Sequence, residues 1–262
     1  MNKDLVSRRL SNRVETSPGC RPLRKMYEAT LRSHPSRWAH VEAPFLIAMR
    51  EFDELLRAGR ANQGDNQNGK GDFFTDLIAL LLENCSGKSL RGRGRVPGLI
   101  FANHALDASY PSSGEVEVLI ETKAAGAPKT GRNPRQTNPK GRDGSADLDK
   151  RIKEAALKTI DLKAEWARRA GKGGGPSGDL ITWLKASRPK CFLFLAIRVV
   201  DERDFDRAVR FADAANQLMD GVGLIAYDPD SKKGTYAVRK TPTHLELDRV
   251  MTRVCTLLKT LS

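Results

Sequence analysis

The sequence predicts an α/β fold in which helices flank a mixed central β-sheet. Residues 191–200 form a continuous apolar run, which is typical of a strand that is buried on both faces. Residues 205–219 carry apolar side chains at helical spacing. Residues 98–110 and 115–124 have strand composition, and the Pro-Ser-Ser-Gly connector at residues 111–114 favours a turn between them. Helix and strand patterns thus alternate along the chain.

The N-terminal elements follow from the same patterns. A helix is predicted over residues 43–58. Residues 59–71 are rich in Gly, Asn and Gln, which predicts a flexible connection. A second helix is predicted over residues 73–84, with Asp72 as its N-cap and Gly87 at its end.

The C-terminal elements complete the predicted core. Leu148–Arg169 is predicted to be a long charged helix, and residues 222–227 and Thr235–Arg239 are predicted strands. Thr243 and Glu246 have the spacing of a capping box and are predicted to open the last helix.

The chain of 262 residues is long enough for a core domain with an extension. We predict an N-terminal helical region over residues 1–65 and a core domain over residues 66–262. No apolar stretch approaches the roughly 18–20 residues that a membrane helix needs. The first residues contain no apolar run followed by a small-residue cleavage site, so we expect no secretory signal.

The composition is strongly basic, with 45 Lys and Arg against 32 Asp and Glu and a formal net charge of +13. An excess of this size favours a polyanionic partner, and nucleic acid is the leading candidate. The alternative is a basic protein without such a partner. A membrane surface is disfavoured because no strongly amphipathic basic helix carries Trp or Phe on one side.

The four cysteines, Cys20, Cys85, Cys191 and Cys255, are far apart and form no CxxC pair. This spacing supports neither a zinc knuckle nor a redox motif. Three of the four lie in apolar helix or strand patterns, where a free Cys behaves as a small hydrophobe. We therefore expect a reducing compartment and a cytoplasmic protein.

Residues 103–123 carry the most chemical information. Because side chains alternate along a strand, the second strand of the predicted hairpin has a charged face and an apolar face. The charged face, which we expect to meet solvent, carries Glu115, Glu117, Leu119, Glu121 and Lys123. The apolar face, which we expect to meet the core, carries Val116, Val118 and Ile120. The partner strand can bring Asp107 alongside Glu121 and Lys123.

These three residues can perform a defined chemistry. Two carboxylates that converge at a sheet edge supply hard oxygen ligands, which suit Mg²⁺. The adjacent lysine offers a positive charge to a phosphate. Together they can polarise a phosphodiester, activate a water and stabilise the negative charge that develops.

An Asp followed by a short strand that ends in Glu-x-Lys resembles the PD-(D/E)xK nuclease superfamily, which includes most type II restriction endonucleases. The matching residues are Asp107 and Glu121-Thr122-Lys123, and the order of elements from about residue 72 to 227 is similar. The resemblance implies a restriction-endonuclease-like core, with Mg²⁺ (or Mn²⁺ as a substitute) bound by Asp107, Glu121 and the backbone carbonyl of Thr122. It implies that Lys123 positions or activates the attacking water. One departure is that Leu106, not Pro, precedes Asp107.

Other acids remain open as alternatives. Some enzymes of this superfamily recruit an acid from the preceding helix, and Asp76 and Glu83 are the candidates here. The alternative for each is that it is an ordinary residue of the helix surface. Glu115 or Glu117 is an alternative to Asp107, or only solvates the outer face. For the whole segment, the competing interpretation is a salt-bridge ladder on an edge strand.

Two further triplets have the same residue types in a different context. Asp161-Leu162-Lys163 falls in a predicted helix, and Asp230-Ser231-Lys232 falls in a predicted turn, so we exclude both. We expect Asp161 to be dispensable. The histidines show no metal-ligand spacing, and His104 is predicted to be structural.

Two basic segments are candidates for DNA contact. The first, a glycine-rich loop, carries Arg91, Arg93 and Arg95. The second, residues 124–142, contains no acid and carries Lys129, Arg132, Arg135, Lys140 and Arg142. Since the second segment follows the Glu121–Lys123 strand directly, contact with DNA is favoured over a solvated loop without a partner.

The sequence and the resemblance together predict a type II restriction endonuclease that cuts double-stranded DNA at a short specific sequence. A homodimer is expected, since two-fold symmetry matches a palindromic site. The alternatives are another nuclease of the superfamily, with a repair, nicking or junction-resolving role, a non-catalytic DNA-binding protein with the same fold, and a structural protein with a charged strand.

Overall fold

A computed structural model describes residues 35–130, 141–171, 178–230 and 235–261 of the chain. The helices are α1 (Glu42–Arg57), α2 (Gln63–Ser86), α3 (Leu148–Arg169), α4 (Leu180–Ala186), α5 (Glu202–Leu218) and α6 (Leu247–Thr260). The strands are β1 (Arg91–Gly92), β2 (Arg95–Val96), β3 (His104–Ala105), β4 (Ala108–Tyr110), β5 (Val118–Ala125), β6 (Lys190–Arg198), β7 (Gly221–Asp230) and β8 (Thr235–Arg239). Short 3-10 turns occupy Trp38–His40 and Thr243–Leu245.

The central sheet is mixed and has the strand order β1-β4-β5-β6-β7-β8. The strands β5, β6 and β7 are parallel to one another. The β1–β4, β4–β5 and β7–β8 pairs are antiparallel. A separate two-stranded ribbon joins β2 and β3. The predicted class, an α/β protein with a mixed central sheet flanked by helices, is confirmed.

Helices cover both faces of the sheet. On one face, Phe192, Phe194 and Ala196 of β6 belong to a core cluster with residues of α1, α2 and α6. On the other face, Leu193 and Leu195 belong to a cluster with residues of α3 and α5. Because alternate residues of β6 enter different cores, the strand has to be apolar throughout, which explains the continuous run at residues 191–200.

The start of α2 corrects the prediction of a flexible connection at residues 59–71. The helix begins at Gln63, and the side chain of Asn62 caps it by accepting a hydrogen bond from the Asp65 N–H at 2.9 Å. The buried Asn66 amide donates to the carbonyl of Phe52 on α1. Polar residues with low helix propensity are thus held helical by contacts with α1, and tertiary structure outweighs local preference.

Two other local predictions are wrong. The strand predicted over residues 98–110 is divided into β3 and β4, and residues 99–101 lie exposed on the surface between β2 and β3. The capping box of Thr243 and Glu246 does not form, since α6 begins at Leu247 and Glu246 makes no side-chain cap hydrogen bond. A 3-10 turn at Thr243–Leu245 takes the place of the expected first helical turn.

The helical region and the core are in contact through a shared apolar cluster. Phe45 and Met49 of α1 are fully buried in the same cluster as Phe74 of α2 and Val118 of β5. The predicted boundary between residues 65 and 66 falls inside α2.

Cys85, at the end of α2, forms a disulfide with Cys255 of α6. The two residues are 170 positions apart in the sequence, and it is the packing of α2 against α6 that brings them together. The expectation that these two thiols are free is therefore wrong. Cys191 is a free, buried thiol, and burial raises its pKa to about 12.

In the four described ranges, no helix is both long enough and apolar enough to cross a membrane.

Candidate active site

The β4–β5 pair places Asp107 next to Glu121. In the antiparallel register, Ala108 lies opposite Ile120. Asp107, which precedes Ala108, and Glu121, which follows Ile120, are therefore neighbours. The strand β5 also pairs with β6 along its whole length. The site is therefore built on an interior strand, and the expectation of an edge strand is wrong.

Asp107 is fixed by Thr122. Its Oδ2 accepts a hydrogen bond from the Thr122 N–H at 2.8 Å and lies 3.2 Å from the Thr122 hydroxyl. That hydroxyl is in turn 2.5 Å from the hydroxyl of Thr75 on α2. The Asp107 carboxylate is thus oriented by the backbone of the strand that carries Glu121.

The two carboxylates converge on one cation. The Nζ of Lys123 lies 3.5 Å from Asp107 Oδ2 and 3.3 Å from Glu121 Oε2. The side chains of Lys123 and Asp107 are 26% and 28% exposed, so the group is open on one side. Three residues that the sequence selected are therefore brought together in space.

Glu121 is buried, and the expectation that it lies on a solvent face is wrong. Its side chain is 4% exposed. The cause is α3, which covers this face of β5: Leu162 of α3 packs in one cluster with Leu119 of β5 and Leu106. A buried carboxylate needs paired charges or hydrogen bonds, and Glu121 has two lysines.

Lys158 of α3 is the functional candidate that the sequence did not reveal. Its Nζ donates to Glu121 Oε1 at 2.8 Å and to the carbonyl of Ala105 at 2.6 Å. Glu121 is thus held by Lys123 on one oxygen and by Lys158 on the other. A signal was present: Lys158 lies three residues after Ala155 and four before Leu162, so a lysine interrupts the apolar stripe of α3.

The donor set fits a divalent metal ion. Two carboxylates point to a shared position that now holds an ammonium group, and carboxylate oxygen is the ligand that Mg²⁺ prefers. Among the described residues, no group of three or more His, Cys, Asp or Glu side chains gathers into a metal-binding cluster. A metal held by Asp107 and Glu121 would therefore take its other ligands from backbone, water or substrate.

The accessory acids have different positions. Asp76 is buried on α2 next to Thr75, the residue that contacts Thr122. Glu83 accepts a hydrogen bond from the Leu90 N–H at 2.9 Å and so fixes the turn after α2.

Glu115 lies away from the site. It is exposed beyond the Tyr110–Val118 end of the β4–β5 pair, whereas Asp107 and Glu121 lie at the opposite end. Glu115 lines a separate cleft with Arg95 and Trp166. Neither this acid nor Glu117, which pairs with Arg188 at 3.2 Å, joins Asp107.

The helical triplet at residues 161–163 is structural, as its context suggested, but Asp161 is not the dispensable surface residue that we expected. Its carboxylate is buried and accepts from His104 Nε2 at 2.6 Å. Burial alone would raise the pKa of Asp161, but hydrogen bonds from His104, Ile100 and Phe101 outweigh it and lower that pKa. Lys163 pairs with Asp220 at 2.9 Å. His104 is structural, in agreement with the prediction.

The first basic segment borders the site. Arg91 lies opposite Ser109 in the β1–β4 pair, and the Arg93 N–H donates to the Asp107 carbonyl at 3.2 Å. The side chain of Arg93 pairs with Asp72. Arg95 is exposed on β2. Arg93 is therefore joined to Asp107 through its backbone, whereas Arg91 and Arg95 line the neighbouring cleft that contains Glu115.

The second basic segment is described only at its ends. Lys129 is exposed, and Arg142 is half-buried and pairs with Asp147. The Arg142 N–H donates to the Ala127 carbonyl at 2.9 Å, so the two ends of the segment meet. Arg132, Arg135 and Lys140 lie outside the described residues.

A second cluster of charges is buried on the opposite face of the sheet. The carboxylate of Asp53 accepts hydrogen bonds from Lys70 and from the Tyr236 hydroxyl, and it forms an ion pair with Arg198, whose Nε is 3.1 Å away. Lys70 also donates to the Gly126 carbonyl at 3.3 Å, and Arg198 donates to the Ala127 carbonyl at 3.2 Å. Burial lowers the pKa of Lys70, although the charge of Asp53 acts in the opposite direction. We call Asp53, Lys70, Arg198 and Tyr236 the buried cluster.

Comparisons with protein-family models, with curated protein sequences and with solved structures found no match to this chain.

Proposed function

We propose that this chain is a Mg²⁺-dependent endonuclease that hydrolyses phosphodiester bonds of double-stranded DNA at a short specific sequence, in the manner of a type II restriction endonuclease. The observation that supports the proposal is the convergence of Asp107 and Glu121 on the Nζ of Lys123. Two acids around a partly exposed lysine suit a metal ion and a phosphate together.

In this proposal, Asp107 and Glu121 hold the metal ion with the backbone carbonyl of Thr122. The ion, when bound, neutralises charge on the phosphate and lowers the pKa of a water molecule. Mn²⁺ is expected to substitute, since it prefers the same oxygen ligands.

The residues of the chain have separate roles in the proposed reaction. Lys123 donates a hydrogen bond to the attacking water or to a phosphate oxygen, and so orients one and stabilises charge on the other. Lys158 holds Glu121 Oε1 and is a positioning residue. Thr122 orients Asp107 through its N–H.

The basic residues are proposed to bind the DNA backbone. Arg93 contacts Asp107 through its backbone, and Arg91 and Arg95 line the cleft next to it. From the second segment, Lys129, Arg132, Arg135, Lys140 and Arg142 are assigned the same role. We further propose a homodimer, because a palindromic site has two equivalent strands to cut.

A cytoplasmic location remains part of the proposal because DNA is the substrate. The cysteines no longer support this location, because Cys85 and Cys255 form a disulfide, which is unusual in a reducing compartment.

The test is cleavage of bacteriophage DNA in Mg²⁺. Discrete fragments are expected from the wild type, and excess EDTA is expected to abolish them. Glu121→Ala and Lys123→Ala are each expected to lower the cleavage rate by at least about 10²-fold, the scale of losing one transition-state contact. Glu117→Ala is the matched control: it removes an acid from the same segment, yet its partner is Arg188.

Each other outcome has a defined meaning. A smear indicates non-specific cleavage, and nicked circles or resolved junctions indicate a different nuclease of the same kind. Binding of DNA without cleavage in Mg²⁺ or Mn²⁺ indicates a DNA-binding protein. Full activity in EDTA, or inactivity of Glu117→Ala alone, contradicts the proposed site.

A further inference from the structure

The connection between β2 and β3 exposes three consecutive apolar side chains. Leu99 is 40% exposed, Ile100 is 72% exposed and Phe101 is 46% exposed. They account for three of the seven large apolar side chains that are exposed in the described part of the chain. Exposed apolar groups that gather at one place indicate a contact surface. We call residues 99–101 the apolar tip.

The apolar tip is held in a fixed shape by α3. The carboxylate of Asp161 accepts from the Ile100 N–H at 2.7 Å and from the Phe101 N–H at 3.1 Å. The Asp161 carbonyl accepts from the Leu99 N–H at 3.3 Å, and the Gly98 N–H closes the turn by donating to the Phe101 carbonyl at 2.8 Å. These anchors fix the backbone of the loop, and although the Phe101 ring meets the His104 ring at 5.7 Å, all three apolar side chains remain exposed.

The chain segment that carries the apolar tip is basic, and the carboxylate that contacts the tip, that of Asp161, is buried. No acid occurs between Glu83 and Asp107, and that stretch contains Lys88, Arg91, Arg93 and Arg95. A second copy of this chain would bring the same positive charge against it. Duplex DNA is complementary, because its phosphates are anionic on the outside and its stacked bases are apolar within.

The apolar tip is also close to the candidate active site. Phe101 and Asp107 are six residues apart in the chain, which limits their separation to about 20 Å. Successive base pairs are about 3.4 Å apart, so this distance corresponds to about six base pairs.

We propose that the apolar tip inserts into a base step of duplex DNA within about six base pairs of the phosphate that is cut, with Ile100 at the apex. The inference rests on the proposed function. Phe, Leu and Ile are the side chains that partially unstack base steps in this way, and insertion bends and unwinds the duplex. Arg91, Arg93 and Arg95 hold the flanking phosphates.

The test measures unwinding without cleavage. A closed circular plasmid is saturated with the protein in Ca²⁺, relaxed with a type I topoisomerase, stripped of protein and resolved on an agarose gel. The wild type is expected to shift the linking number. The double variant Ile100→Ser/Phe101→Ser is expected to retard the plasmid, because the arginines remain, and to lose the shift. Ile47→Ser is the control: Ile47 is 51% exposed on α1, which packs on the other side of the sheet from α3.

The outcomes separate this inference from the proposed function. Insertion is overturned if the double variant shifts the linking number as much as the wild type does. It is also overturned if sedimentation shows that the double variant has lost an oligomer, because the apolar tip is then a subunit contact. Cleavage in Mg²⁺ by a wild type that gives no linking-number shift overturns insertion alone. A shift without any cleavage in Mg²⁺ supports insertion and overturns the nuclease. A wild type that does not retard the plasmid overturns both.

Discussion

The candidate active site and the buried cluster use the same kinds of side chain on opposite faces of one sheet. In the buried cluster, one carboxylate meets two cations and a hydroxyl, and the side chains of Asp53, Lys70 and Arg198 are each no more than 2% exposed. In the candidate site, two carboxylates meet Lys123 and Lys158, and Asp107 and Lys123 remain partly open to solvent. Burial and the number of acids distinguish the two groups.

The difference indicates what each group can do. The cations of the buried cluster form ion pairs with Asp53 and donate hydrogen bonds to the carbonyls of Gly126 and Ala127, so the cluster braces the start of the second basic segment. Removing one charge from a buried pair leaves the other uncompensated. In the candidate site, an added cation and a phosphate would meet Asp107 and Lys123, which are still partly accessible. The first arrangement favours stability, and the second favours binding and chemistry.

The largest expected effect is on folding. Asp53→Ala is expected to lower the free energy of unfolding by about 3–5 kcal/mol, because it leaves Lys70 and Arg198 buried without their acid. Urea denaturation followed by circular dichroism measures the loss. The neighbouring Glu54→Ala removes an exposed acid paired with Arg57 and is expected to cost no more than about 1 kcal/mol. Equal costs for the two variants would show that the buried cluster does not brace the fold.

Asp161 gives an intermediate case, since its partners are two backbone N–H groups and His104. Asp161→Asn is expected to cost about 1–3 kcal/mol at pH 7, the scale of a buried hydrogen-bonding group left incompletely paired. The pKa of Asp161 is lowered in the folded protein, so its stabilisation is present above the ordinary value of 3.8 and is lost as the pH falls through the lowered value. The stability difference between wild type and variant, measured by urea denaturation, is therefore expected to shrink below pH 3.8. A difference that stays constant with pH would contradict this assignment.

Lys158 tests whether positioning of Glu121 matters to the reaction. Lys158→Met keeps the length of the side chain and removes the charge, and it is expected to lower the cleavage rate by about 10-fold or more, the scale of losing a group that orients a metal ligand. Lys158→Arg is expected to restore part of the rate. Lys153→Met is the control, because Lys153 is 74% exposed on the same helix and pairs only with Asp149 in the described contacts. Equal rates for the Met variants would remove Lys158 from the site.

The smallest expected effect on stability belongs to the exposed arginines. Arg95→Ala is expected to leave the melting temperature almost unchanged. It should flatten the dependence of DNA affinity on salt by about 0.9 log units per decade if Arg95 contacts one phosphate. Arg249→Ala, an exposed arginine of α6 on the other side of the sheet, is the control. The triple variant Lys129→Ala/Arg132→Ala/Arg135→Ala should flatten the slope by up to about three contacts.

Local patterns predicted much of this molecule. The bounds of Leu148–Arg169 and Thr235–Arg239 are those of the structure, and the mixed sheet and its flanking helices follow from the order of patterns. The proximity of Asp107, Glu121 and Lys123 was also predicted, because strand alternation and a short turn are local properties.

The features that the patterns missed depend on packing between distant segments. The burial of Glu121 and the contact with Lys158 arise because α3 crosses β5, and the helical start of α2 arises from contacts with α1. The Cys85–Cys255 pairing depends on how α2 meets α6. None of these relationships has a fixed spacing in the sequence.

The closed base of the second basic segment has a consequence for how such a protein changes over time. Ala127 and Arg142 are joined by a backbone hydrogen bond, and the carbonyls of Gly126 and Ala127 accept hydrogen bonds from Lys70 and Arg198 of the buried cluster. The entropy of closing a loop grows only slowly with its length, by about 0.6 kcal/mol for each doubling. Insertions or deletions between Thr130 and Gly141 therefore cost little in loop-closure entropy. The segment is a place where a lineage, or an engineer, can change the length of the proposed DNA-contacting sequence while the carboxylates of the site stay in register.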